Sequence, residues 1–222
     1  MGKFIVIEGT DCSGKETQSK LLVEKLTSLG KKAIRVTYPN YDSPTGKIIG
    51  GPYLGKEEIG PCWFPEGAVN VDPKVTSLYY AADRKYNEKE IRNYLDDDYF
   101  VICDRYVSSN MAHQGSKIRD DNERFDMYQW IDKLEYWLLN LPKPDKTIFL
   151  HVPYSYAFEL KKNRISLDEH EKSEEHLKNS EVAYLELASF YNWTNINCIK
   201  NDTIRTIEDI NDEIMENIKE YL

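Results

Sequence analysis

The feature that most limits the fold is the passage from "KFIVIE" at residues 3–8, through a turn punctuated by glycines, into "GKETQSKLLVEKLTSLG". A short, nearly all-apolar run predicts a strand covered on both faces. Leu21, Leu22, Leu26 and Leu29 then follow helical spacing as far as Gly30, a good C-terminal cap. Four more β-rich runs recur: "KAIRVT" from Lys32, "YFVICD" from Tyr99, "KTIFLHV" from Lys146 and "TNINCI" from Thr194. Between and after them, helices are predicted from about Asp72 to Leu95, Asn122 to Leu141, Ser173 to Tyr191, and Thr206 to the end. The segment "GGPYLGKEEIGPCWFPEG" reads as loop. Strands alternating with helices give an α/β fold of three layers, a five-stranded parallel sheet flanked by helices. No repeat or internal linker interrupts it, so residues 1–222 are expected to form a single domain.

The first turn carries chemistry. Gly9, then Thr10, Asp11, Cys12 and Ser13, then Gly14 and Lys15 fit the phosphate-loop pattern G-x-x-x-x-G-K-[ST], except that Glu16 stands where a hydroxyl is expected, with Thr17 after it. Backbone N–H groups at a helix N-terminus converge where phosphate oxygens would lie, and Lys15 can bridge the outer phosphates of a nucleoside triphosphate. The plainer alternative is a glycine turn with a solvent-facing lysine. Asp104 and Arg105 follow the third strand, at the sheet edge where ligands of open parallel sheets bind. An aspartate there can hold magnesium through water and the arginine can grip a phosphate, whereas the bland reading is a surface ion pair. Tyr80 and Arg84 share one helix face, suiting a flat base with a phosphate nearby, or core packing beside a solvated arginine.

Composition narrows the partners. With 222 residues, 41% hydrophobic content and a net charge of -9, the chain reads as a globular protein without the basic surface that nucleic acid requires. Any bound phosphate must meet a local basic site. The N-terminus lacks the pattern of a secretory signal, and no apolar run is long enough to span a bilayer. Cys12, Cys62, Cys103 and Cys198 are scattered without metal or redox spacing and read as reduced thiols of a cytoplasmic protein. The sequons at Asn192 and Asn201 would matter only in a secreted chain.

Taken together, "GTDCSGKETQ", the pair Tyr38 and Pro39, the helix bearing "YYAADR", the run "DRYVSSN" and the stretch "KKNRISLDEHEKSEEH" resemble the thymidylate kinase family over nearly the whole chain. The resemblance implies transfer of the γ-phosphoryl group of ATP to dTMP with Mg2+ present, a homodimer, and a mobile lid over about 161–176. It further implies that Asp11 binds the sugar 3′-OH, Tyr80 stacks on thymine, Arg84 meets the base or acceptor phosphate, Arg105 lies between the two phosphate groups, and Asp104 belongs to the magnesium shell. Ser109, Asn110, His113 and Gln114 fall where the family reads the base edge and deoxyribose, with His113 at a position where tyrosine is common.

Two departures stand out. Tyr41 occupies the place of an arginine that serves the acceptor phosphate in the family, and Cys12 replaces a catalytic arginine found in some members. Members lacking the latter draw basic residues from the lid, here Lys161, Lys162 or Arg164. Glu16 is expected to share the magnesium shell with Asp104, or else to turn outward. Two alternatives are a deoxynucleoside kinase, or another nucleoside monophosphate kinase, and a non-catalytic nucleotide-binding module. The deoxynucleoside kinase would need a carboxylate base near a 5′-OH, and "VTYPN" after the second strand offers none.

Overall fold

The computed structural model describes residues 2–161 and 174–222. Its main sheet consists of β1 (Lys3–Glu8), β2 (Ala33–Thr37), β3 (Phe100–Asp104), β4 (Lys146–His151) and β5 (Thr194–Asn197), all parallel, in the spatial order β2-β3-β1-β4-β5. Around it lie α1 (Lys15–Ser28), α2 (Pro44–Ile48), α3 (Pro73–Asp96), α4 (Val107–Gly115), α5 (Asp121–Asp132), α6 (Tyr154–Lys161), α7 (Glu174–Phe190) and α8 (Ile207–Asn217).

Alternation along each strand sends neighbouring side chains to opposite faces. Phe4, Val6, Val101, Cys103 and Phe149 join Met111, Met127 and Leu187 from α4, α5 and α7 in one core. Ile5, Ile7, Ile102, Ile148 and Leu150 join Leu22, Leu26, Ile210 and Ile214 from α1 and α8 in the other. This double burial is why the central strands read as continuous apolar runs. The edge strand β2 is only half-buried. In register, Ile7 and Thr37 both pair with Asp104, so the turns after β1, β2 and β3 open at one edge of the sheet.

Gly30 ends α1 as expected. At φ 77° it donates to the Thr27 carbonyl at 2.9 Å while Lys31 N–H reaches Leu26 at 3.1 Å, the paired bonds of a Schellman cap. Leu29, expected on the apolar stripe, is exposed because it is already the capping residue. The segment expected to be loop, 50–67, has no helix or strand after its first four residues, which belong to a π-helical turn. Proline at N1 and the Ser43 cap start α2, a π-helical turn follows over Ile49–Tyr53, and Ile49, Tyr53 and Leu54 bury themselves against Ala68 and Val71 in a small third core. The helix expected over 122–141 is α5 followed by a π-helical turn, Lys133–Leu138. "TNINCI" splits into β5 and a two-stranded hairpin, β6 (Ile199–Lys200) with β7 (Thr203–Ile204). No expectation covered α2, α4 or α6. No helix among the described residues is long and apolar enough to cross a membrane.

Candidate active site

The loop between β1 and α1 is tightly built. A Cβ at Gly9 would come within 2.8 Å of the Leu150 carbonyl oxygen and 2.4 Å of Ser13 Oγ. Gly14, at φ 84°, caps α1 with no side chain of its own. Lys15 is buried and donates from Nζ to the Thr10 carbonyl at 2.6 Å and to Ser13 Oγ at 3.3 Å. Burial, with the charge of Arg105, pushes its ammonium down to about 8, against the carboxylates of Asp11 and Asp104. Glu16 lies on the first turn, exposed, and meets Lys20 at 2.6 Å.

Asp11 and Arg105 form an ion pair on a wall shared by two hollows. On one side is a pocket whose lining includes Tyr80, Arg84, Ser109, Asn110, His113 and Gln114. On the other is a cleft along the phosphate loop, with Lys15, Glu16, Thr17, Arg35, Lys56 and Asp104. Burial opposes a charge on Asp11, yet the Arg105 guanidinium beside it holds the carboxyl well below its usual range. Arg105 itself takes the left-handed backbone conformation, φ 66°, where β3 ends, and Cys12 does so in the phosphate loop at φ 63°. Such non-glycine residues are uncommon and gather at functional sites.

Two buried carboxylates hold the pocket. Glu8, the last residue of β1, accepts at Oε1 from the backbone N–H groups of Tyr106 (2.9 Å) and Ser109 (3.1 Å), so it caps α4 from a distant part of the chain. Its Oε2 takes the Ser109 hydroxyl at 2.6 Å and the Tyr184 hydroxyl at 3.2 Å. Burial pushes the Glu8 carboxyl up, and these donors partly offset it. Glu135, in the π-helical turn, accepts from both Nε and Nη2 of Arg84 and from Asn110 Nδ2 at 2.8 Å. Arg84 is thus fully buried rather than a solvated surface arginine. Beside it, Asn110 Oδ1 and both polar atoms of the wholly buried Gln114 amide have no partner among the described residues. A pocket lined by orphaned amide groups is prepared for a polar, flat ligand edge.

Every residue expected to meet the acceptor lines the one pocket; of the phosphate loop and strand end, Asp11, Cys12, Gly14, Lys15, Glu16, Thr17, Asp104 and Arg105 line the cleft, whereas Gly9, Thr10 and Ser13 do not. Ser109 differs in detail, because its hydroxyl is engaged by Glu8. Lys162 and Arg164, and with them 162–173 of the expected lid, lie outside the described residues, as does the side chain of Lys161. Sequence reasoning missed Glu8, Arg35, Lys56, Glu135 and His176. Arg35 binds Asp104 Oδ2 at 2.5 Å and Ser19 Oγ at 2.8 Å; its signal was a charge inside an apolar strand run. Lys56 Nζ lies 5.1 Å from the centre of the Tyr41 ring, at the position where an arginine was missed.

Comparison with known proteins points to one family. The family model described as thymidylate kinase matches residues 7–214. A thymidylate kinase of Plasmodium falciparum is 33% identical over 98% of this chain and 90% of its own length. A probable thymidylate kinase of Methanocaldococcus jannaschii is 34% identical over 97% of this chain and 95% of its own. Among solved structures, thymidylate kinase from Candida albicans superposes with a TM-score of 0.74 at 25% identity, covering 99% of this chain and 92% of that one.

Proposed function

The chain belongs to the thymidylate kinase family, and from that premise we propose that it is an ATP-dependent dTMP kinase, transferring the γ-phosphoryl group of ATP to dTMP to give dTDP and ADP for dTTP synthesis. The observation that carries this reading is the shared wall: Asp11 and Arg105 line both the pocket and the phosphate-loop cleft, so two bound phosphates would face each other across one guanidinium.

The acceptor phosphate is already ionised, so the reaction needs positioning and charge neutralisation more than a base. We assign Lys15 and the N–H groups that open α1 to the ATP phosphates, and Arg105 to the space between donor and acceptor. Asp11 takes the sugar hydroxyl, Tyr80 stacks on the base, and Arg84, Asn110 and Gln114 read its edge. Ser109 and His113 complete the pocket wall. Lys56, over the Tyr41 ring, adds a cation where the family arginine is absent, and Arg164 remains the candidate lid cation. Asp11 is the only carboxylate lining the pocket among the described residues. Held ionised by Arg105, it makes a poor general base, which disfavours a nucleoside kinase.

Among the described residues, no group of three or more His, Cys, Asp or Glu could hold a metal alone. That suits Mg2+, which binds through one or two carboxylates, water and substrate phosphates. Arg35 takes only Oδ2 of Asp104. We assign Asp104 as the main carboxylate and Glu16 as a partner through water. Bound there, the ion would neutralise charge on the transferred group.

We further read residues 1–222 as one domain and the chain as a cytoplasmic homodimer with no nucleic-acid partner. The four free thiols suit a reducing compartment. Val75, Leu78 and Tyr86 are exposed on one face of α3, and Trp137 and Leu138 are exposed in the π-helical turn, apolar groups that suit contact with a second copy. The function is tested by incubating the protein with ATP, magnesium and a panel of nucleosides and monophosphates, with products separated by chromatography. ADP with dTDP is expected; preferred turnover of a nucleoside, or no ADP, would overturn it.

A further inference from the structure

His113 of α4 and His176 of α7 meet beside the acceptor pocket. His113 Nδ1 lies 3.1 Å from His176 Nε2, and the rings stack with centroids 5.4 Å apart and 21° between planes. On its other side, His113 Nε2 lies 3.2 Å from Nη1 of Arg105, whose Nη2 is bound by Asp11.

The chemistry of the groups fixes the polarity of this chain. A guanidinium can only donate, so His113 Nε2 must accept. A neutral imidazole carries one hydrogen, which must then sit on Nδ1 and be donated to His176 Nε2. Neutrality is favoured by the surroundings. Asp11 and Lys15 from the phosphate loop, Arg105 from the junction of β3 and α4, and His176 and Tyr184 from α7 all face His113. Burial pushes its imidazolium well below the ordinary value, Asp11 opposes this, and the cations reinforce it.

We propose that His176 is a positioning residue for Arg105: by accepting the Nδ1 hydrogen of His113, it holds that ring in the tautomer that accepts from the guanidinium. Without the His176 acceptor, the buried Nδ1–H loses this bond. The ring would then favour the tautomer with hydrogen on Nε2, which turns a donor toward the Arg105 donor. Arg105 would keep Asp11 but lose the contact that fixes the second arm of its fork. The inference rests on the reading that this pocket takes dTMP.

The first test needs no substrate. Nitrogen-15 chemical shifts of the imidazoles in the full chain, which has only 4 histidines to assign, should show His113 as the neutral Nδ1–H form near neutral pH. An Nε2–H form or an imidazolium would overturn the proposal. The second is kinetic. His176→Phe keeps a ring for stacking but accepts nothing, and should raise KM for dTMP about tenfold while leaving KM for ATP unchanged. His176→Gln restores an acceptor and should return KM for dTMP to within about twofold of wild type. Equal effects on both substrates, or a glutamine no better than phenylalanine, would overturn the proposal. If His176→Phe does not fold, the tautomer measurement decides. Failure of wild-type protein to turn over dTMP would defeat the functional reading and leave the tautomer result intact.

Discussion

Arg84 and Glu135 form a two-point ion pair sealed from water, with Nη2 2.7 Å from Oε1 and Nε bonded to Oε2. Burial disfavours the guanidinium, but the carboxylate more than compensates and raises the Arg84 pKa. Breaking one side of such a pair leaves a charge stranded in the interior, so Glu135→Ala should cost about 3–5 kcal/mol in thermal or urea unfolding. Replacing both partners, as in Arg84→Met with Glu135→Leu, should recover most of that stability. It should not recover the pocket: KM for dTMP should rise strongly with KM for ATP nearly unchanged. Equal changes for both substrates would move Arg84 out of the acceptor site.

Gln114 offers a cleaner separation of folding from binding. Its amide is buried with no partner among the described residues, so Gln114→Leu should leave stability unchanged or raise it by about 1–3 kcal/mol. The same change should weaken dTMP binding about tenfold or more, because the ligand edge then meets a methyl group. Calorimetry and steady-state kinetics on one preparation check both halves.

Lys15 should show a trade-off governed by pH. Its folded value of about 8 lies below the ordinary 10.5, so between them the unfolded chain holds more protons and wild-type stability rises with pH through that window. Below it the cost of the buried charge is felt in full. Lys15→Met should therefore gain most in melting temperature, relative to wild type, near pH 7, and the gain should fade as pH climbs from about 8 toward 10.5. Phosphoryl transfer should drop by orders of magnitude at every pH, as measured by coupled ADP release.

Magnesium titrations at saturating nucleotide should rank the two carboxylates of the cleft. Asp104→Asn should raise the magnesium needed for half-maximal rate strongly, and Glu16→Ala should raise it less, since Glu16 is exposed and already meets Lys20. An unchanged requirement in Glu16→Ala would leave Glu16 as a surface residue favoured by the helix dipole.

The exposed face of α3 predicts its own disruption. Leu78 is 52% exposed on that face, and Leu78→Glu should convert a dimer to a monomer in sedimentation velocity without unfolding it. A wild-type chain that sediments as a monomer would remove the dimer from this reading.

What could be read from the sequence was what the chain keeps contiguous. Gly9 to Lys15 is a loop whose geometry follows from adjacent residues, and Asp104 and Arg105 sit where a strand must end. Apolar periodicity likewise found all five strands of the main sheet. The rest depends on partners far along the chain. Helix α4 went unpredicted because its cap is Glu8, about 100 residues upstream, and nothing local between Tyr106 and Gly115 announces a helix start. Glu135 looked like one more charge in an aromatic stretch, and His176 like the end of a charged run. Segment 50–67 reads as loop by its glycines and prolines and is loop beyond Tyr53; its start winds into a π-helical turn because Ile49 and Tyr53 are buried in the third core.

The Glu8 cap has a mechanical result. One end of its strand leads straight into Gly9 and the donor loop, while its carboxylate grips the first turn of the helix that lines the acceptor pocket. The two cradles therefore behave as one rigid fitting: α4 cannot slide without pulling the strand that carries the phosphate loop. The gap a phosphoryl group must cross is set when the chain folds, by a side chain assigned to neither nucleotide. Adjustment to the size of the acceptor is left to the opposite wall, where Tyr41 sits in the turn before α2 and Leu54 ends the π-helical turn, neither of them held by the sheet.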